Sequence, residues 1–163
     1  MKSKSSTIRI LYAASDLSAD MLYLSGVFVP DPFLAIIARK KRYAVVSQLE
    51  YGRVAKQSNF DEVMLLETIR EKAAENLQIP MTSVGPGELM VYFAQRFAVK
   101  KIEVPVDFPA LYFAKLFDAG YRVEVVEGPF FPKRAKKSDP EAKMITQGNA
   151  ASAAGIRAAE AVL

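Results

Sequence analysis

The sequence predicts an α/β domain built on a mixed sheet, and two observations carry that prediction. Near the front, two apolar runs of strand length, Phe33 to Ala38 and Tyr43 to Ser47, flank the basic tetrapeptide Arg39 to Arg42, which reads as an antiparallel hairpin with a charged tip. Behind it, from Gln48 to Glu127, helical and strand-like periodicities alternate, the order expected of parallel crossovers.

Taken in order, Ile8 to Tyr12 reads as the first strand, and Ser15-Asp16 with Ser18 supplies turn and cap chemistry for a short helix. Met21 to Leu24, before Ser25-Gly26, fits either a helix end or a short strand. Val29-Pro-Asp-Pro32 is a stiff loop, because each proline restricts the residue before it to extended geometry. After the hairpin come a helix over Gln48 to Gln57, a strand over Glu62 to Leu66 and an amphipathic helix over Glu67 to Leu77. Gly85-Pro-Gly87 opens a helix over Glu88 to Val99, followed by the strand Lys101 to Pro105. Pro109 suits the first turn of a helix through Asp118 that Gly120 closes, and Arg122 to Glu127 is the next strand. The Pro/Lys-rich stretch Phe130 to Ser138 marks a boundary, giving a domain over 1-134 and an inter-domain segment with a helix over 135-163.

That last helix, from Asp139 to Leu163, places Ile145, Ser152, Ile156, Ala159 and Leu163 on one face. Gly148 and Gly155 each cost about 1 kcal/mol relative to alanine in a helix interior. A weak helix with a thin apolar stripe and no terminating signal reads as the start of an element that packs on something further along a longer protein.

Composition narrows the chemistry. The chain is 51% hydrophobic and 25% charged, enough apolar material for one sizeable core. It has neither histidine nor cysteine, which removes the usual general base, the usual soft metal ligands and any disulfide framework. Zero cysteine fits a cytoplasmic protein. A short polar lead, Met1 to Thr7, precedes an apolar run that Arg9 interrupts, and no apolar run approaches the roughly 18 residues of a span, so no signal peptide and no membrane span is expected. A formal charge of +4 from 22 basic and 18 acidic residues is too mild to argue for nucleic acid.

No strong catalytic pattern emerges. Asp16, Asp20, Asp31 and Asp107 stand at or near element ends without a recognised spacing, and read as caps and solvated surface. Gly85-x-Gly87 lacks the preceding strand and third glycine of a dinucleotide fingerprint, and reads as helix-start punctuation. Phe130 and Phe131 beside Lys133 to Lys137 read as anchors next to solvated lysines rather than as a base-stacking site, while Arg134 suits a fixed carboxylate contact.

Leu22-Tyr-Leu-Ser-Gly26, with the loop and two strands after it, resembles the start of the amino-terminal domain of the creatinase, prolidase and Xaa-Pro aminopeptidase family. So does Glu127-Gly-Pro-Phe-Phe-Pro-Lys-Arg134-Ala-Lys-Lys137-Ser138-x-x-Glu141, where an arginine, a lysine-serine pair and a glutamate introduce the helix leading to the catalytic domain. The resemblance covers essentially the whole chain in element order, although Val27 stands where the family often has phenylalanine. It implies a three-layer α/β/α, ribonuclease-H-like domain without catalysis or metal of its own. Its partners are then a carboxyl-terminal catalytic domain holding two divalent ions (Mn, Co or Zn) and further copies of the chain in a homo-oligomer, with proline-containing short peptides as substrates. The resemblance further implies that the loop from Val27 to Phe33 walls an active site, Phe28 and Asp31 being its substrate-wall residues, and that Arg134 and Glu141 are structural contacts. Relatives that bind proteins without catalysis, and the amidinohydrolase creatinase, are the alternative functions.

Overall fold

The computed structural model describes residues 7–162. They divide into two compact units, one ending at Phe130 and the other starting at Phe131. The first contains six strands, β1 (Thr7–Ala13), β2 (Phe33–Ala38), β3 (Lys41–Val46), β4 (Glu62–Leu65), β5 (Lys101–Val104) and β6 (Arg122–Val125). Its helices are α1 (Ala19–Ser25), α2 (Gln48–Gln57), α3 (Leu66–Leu77), α4 (Pro86–Arg96) and α5 (Ala110–Asp118).

The strands form one sheet in the order β4-β3-β2-β1-β5-β6. β2 pairs antiparallel with β1 and β3, and the remaining neighbours are parallel, so the predicted mixed sheet is the observed one. Alternation along the strands sends Ile8, Ile10, Leu34, Ile36, Val45 and Ile102 to one face, where they meet Ile69 and Ala73 of α3, Leu89, Met90 and Phe93 of α4 and Leu116 of α5. The intervening positions, among them Leu11, Ala35, Ala44 and Val46, serve the opposite face, which buries Met21 and Leu24 of α1 and Val54 of α2. The result is a three-layer α/β/α sandwich.

Three local expectations are refined. Met21 to Leu24 is helical, because Ser18 Oγ accepts from the Met21 N–H at 3.3 Å and caps α1. The hairpin tip is shorter than the basic tetrapeptide: Arg39 (φ 51°) and Lys40 (φ 67°) make the turn alone, while Lys41 and Arg42 join the ladder opposite Ala38 and Ile37. Arg42 keeps its place at the strand end because its N–H donates to Asp61 Oδ2 at 2.7 Å. α4 stops at Arg96 rather than Val99, since Ala98 turns left-handed at φ 51° and the Val99 N–H folds back to the Ala94 carbonyl.

Gly26 ends α1 at φ +70°, and a Cβ there would lie 2.4 Å from Asn59 Nδ2. The left-handed φ is what favours glycine here, since the Asn59 amide could swing aside, and this is the physical content of the Ser25-Gly26 signal.

The second unit is a short 3₁₀ turn, Pro132–Ala135, followed by α6 (Asp139–Glu160). Ser138 and Glu141 cap the helix together, the Ser138 N–H and hydroxyl both donating to Glu141 Oε2 at 2.8 and 2.6 Å. These two hydrogen bonds hold the Glu141 carboxyl below its ordinary range. Both glycines are accommodated within α6, and its apolar residues Met144, Ile145 and Ile156 are exposed. Leu163 lies outside the described residues.

Candidate functional site

The segment from Val27 to Phe33 joins α1 to β2 and carries two of the sequence-predicted site residues. Its backbone is held by two buried serines. Ser15, just after β1, donates from Oγ to the Val27 carbonyl at 2.7 Å and accepts from the Val29 N–H at 2.6 Å, while its own N–H reaches the Val29 carbonyl. Ser25 Oγ donates to the Val27 carbonyl at 3.0 Å and accepts from the Val27 N–H at 3.3 Å. Val27 and Val29 are thereby turned into the core, and the residue between them, Phe28, is 61% exposed. An exposed phenylalanine on a backbone so tightly pinned is presented, not buried. From α2, Arg53 Nη1 donates to the Phe28 carbonyl and Arg53 Nη2 pairs with the buried carboxylate of Glu50.

Asp31 is exposed at the rim of a cavity of about 430 Å³, so the structure places it beside a concave surface. Val29, Phe33, Leu34, Val45, Leu66, Val84 and Leu89 supply most of the apolar lining, with Tyr12, Ser47, Glu50 and Arg70 as its polar members. Tyr12 packs edge-on against Tyr112 at 5.0 Å between ring centres; burial, with Tyr112 beside it, pushes the Tyr12 hydroxyl up to about 12. It therefore stays protonated through the physiological range and serves as a donor, not a base. Arg70 Nη2 reaches the Met81 carbonyl at 3.4 Å, and its buried Nε has no hydrogen-bond partner.

Phe28 and Asp31 stand three positions apart on one connection, and of the two Asp31 alone lines the cavity. Arg134 and Glu141 lie in the second unit; Glu141 is committed to the α6 cap, and the Arg134 carbonyl accepts from Lys137 Nζ at 2.6 Å. Glu50, Arg53, Arg70 and Ser15 were not singled out from sequence. Glu50 and Arg53 had a signal, an i,i+3 charge pair on α2, but nothing marked its buried end. Ser15 read as turn and cap chemistry, and Arg70 falls without comment inside the amphipathic helix Glu67 to Leu77.

Among the described residues no group of three or more carboxylates, histidines or cysteines could hold a metal ion. The cavity's two carboxylates are Asp31, which is exposed, and Glu50, which is neutralised by Arg53. Two divalent ions therefore find no ligand set in these residues, and no metal-assisted step can be written on them. No described helix is long and apolar enough to cross a membrane.

No family model matches the sequence, and none of the curated proteins matches it either. Comparison of the structure with solved structures is informative. The X-Pro aminopeptidase from Thermotoga maritima superposes over 87% of this chain and 37% of its own length, at a TM-score of 0.64 and 12% identity. The prolidase from Pyrococcus horikoshii superposes over 88% of this chain and 35% of its own, at 0.60 and 16%. The Xaa-Pro dipeptidase from Bacillus anthracis gives 85% and 33%, at 0.56 and 13%. The chain shares its fold with a part of each of these Xaa-Pro peptidases. It spans about a third of the length of these three peptidases, and at such identities the likeness is one of fold.

Proposed function

We propose that this chain is the amino-terminal, non-catalytic domain of a metal-dependent Xaa-Pro dipeptidase or aminopeptidase. The observation that carries this reading is the fold it shares with three Xaa-Pro peptidases over about a third of their length. In this reading the hydrolytic residues, with their two manganese, cobalt or zinc ions, belong to a further domain of the same protein.

The contribution of the present domain is shape. The loop from Val27 to Phe33, pinned by Ser15 and Ser25, holds Phe28 and Asp31 as a wall beside the active site of a neighbouring subunit in a homo-oligomer, so that short proline-containing peptides enter and longer chains do not.

The test uses the protein with its catalytic domain. Phe28→Ala and Asp31→Ala are expected to change kcat/KM for proline-containing peptides by about fivefold or more while leaving Tm within about 2 °C. Unchanged kinetics in a well-folded variant would remove the wall assignment. Hydrolysis of an Xaa-Pro dipeptide by the 163-residue chain alone would overturn the non-catalytic reading.

A further inference from the structure

The cavity beside Asp31 lies at a distinctive point of the sheet. β3 and β4 are parallel neighbours, and the chain leaves their carboxyl ends toward opposite faces: α2 buries Val54 on one side, and α3 contributes Ile69 and Ala73 to the core on the other. Where successive connections diverge in this way the sheet opens a crevice beyond its strand ends, and open α/β sheets characteristically bind ligands there. The cavity occupies that crevice, between Val45, Val46 and Ser47 at the end of β3 and Leu66 at the start of α3. Its volume, about 430 Å³, suits a small organic molecule.

The lining also selects a chemistry. It is mostly apolar, and Glu50 is already paired with Arg53. The unsatisfied group is Arg70, one turn into α3. Its Nε is buried without a partner, and its Nη2 makes a single long hydrogen bond to the Met81 carbonyl. The protein around it closes Nε off from solvent, so a ligand in the cavity meets the terminal Nη edge of the guanidinium, whose N–H donors match a carboxylate. The first turns of α2 and α3, neither capped by a side chain, add outward N–H groups of the same electrostatic sign. Asp31 at the mouth disfavours a second anionic group.

We infer that this cavity is a binding site for a small monocarboxylate, with its carboxylate on Arg70 and its apolar body among Leu34, Val45, Leu66 and Leu89. The inference stands apart from the peptidase reading: it concerns a site within this domain, and its failure would leave that reading untouched.

The experiment is a titration of the 163-residue chain with 3-phenylpropionate, 3-phenylpropionamide and phenylsuccinate, followed by calorimetry and by the amide and methyl resonances of Leu66, Leu89 and Ser47. Saturable 1:1 binding of 3-phenylpropionate is expected, with resonance shifts confined to those residues. The neutral amide and the dicarboxylate are each expected to bind about tenfold more weakly. Arg70→Gln should lose about tenfold for the acid and nothing for the amide, with Arg70→Lys between the two. Equal affinity for acid and amide would reduce the site to an apolar hole and overturn the carboxylate assignment. Absence of saturation by 3-phenylpropionate at 10-fold above the millimolar range, or shifts that map elsewhere, would overturn the site. Because the acid-amide comparison is made on the unaltered chain, the outcome does not depend on the variants folding.

Discussion

The two faces of the sheet are built from the same six strands and hold together by different physics. On one face Ile10, Ile36, Val45 and Ile102 are closed over by three helices, and Phe93, Met90 and Leu116 are fully buried among them. The opposite face is apolar only under α1 and α2. Toward β5 and β6 it becomes a chain of ion pairs, Arg9 to Glu103 at 3.1 Å, Glu103 to Lys101 at 3.3 Å, Lys101 to Glu124 at 2.7 Å and Glu124 to Arg122 at 2.6 Å. Phe130, 1% exposed, lies under the Arg9 guanidinium at 4.3 Å and closes that end. Burial of large apolar side chains dominates stability, whereas partly exposed ion pairs contribute about 1 kcal/mol or less each. The difference teaches that the face closed by three helices carries more of the domain's stability than the charged end of the other.

The largest test of that contrast is Phe93→Ala. Deleting a fully buried aromatic ring that packs against Tyr92 and Phe97 is expected to cost about 3–5 kcal/mol, read from the denaturant midpoint at constant m. A loss below about 1 kcal/mol would mean that the helix-covered face is loosely packed.

A smaller effect belongs to Arg9→Ala, which removes both the stack on Phe130 and the pair with Glu103. About 1–2 kcal/mol is expected, reduced in high salt by the share that belongs to the ion pair. An effect as large as that of Phe93→Ala would erase the distinction between the faces.

The smallest effect sharpens the comparison through pH. The hydrogen bond from Lys101 holds the Glu124 carboxyl below its ordinary value, with the Arg122 charge acting in the same direction. A depressed carboxylate contributes stability that is fully present above its unfolded pKa, about 4.3, and is lost as pH falls through the folded value. Glu124→Gln should therefore lower Tm slightly at pH 7, and the difference from the unaltered chain should vanish in acid. The same titration applied to Phe93→Ala should leave its deficit in place, since no ionisable group is removed.

The contrast between the faces was already written in alternation. Lys101-Ile-Glu-Val104 and Arg122-Val-Glu-Val125 carry charge and apolar residues at period two, so each strand declares one dry face and one polar face. Helix starts were equally legible where a local device marks them, as at Ser18, Pro86 and the Ser138-Glu141 pair. The hairpin tip was not, because a two-residue turn with positive φ at arginine and lysine has no glycine or asparagine to announce it. Of the candidate site, Phe28 and Asp31 were nameable from the motif before them, but the serine latch and the Arg53 tether join residues 12 to 25 positions apart.

By itself the sequence determined the element order, the mixed α/β class and the absence of histidine and cysteine chemistry, because periodicity, caps and composition act within a few residues of themselves. Tertiary structure alone decided that Ser15 pins the Phe28 backbone and that the ends of β3 and β4 open a crevice beside Asp31. It also decided that Arg70 Nε is buried there without a partner. These features depend on which strands become neighbours and on which side each helix returns, and those choices are made by burying apolar surface across the whole domain.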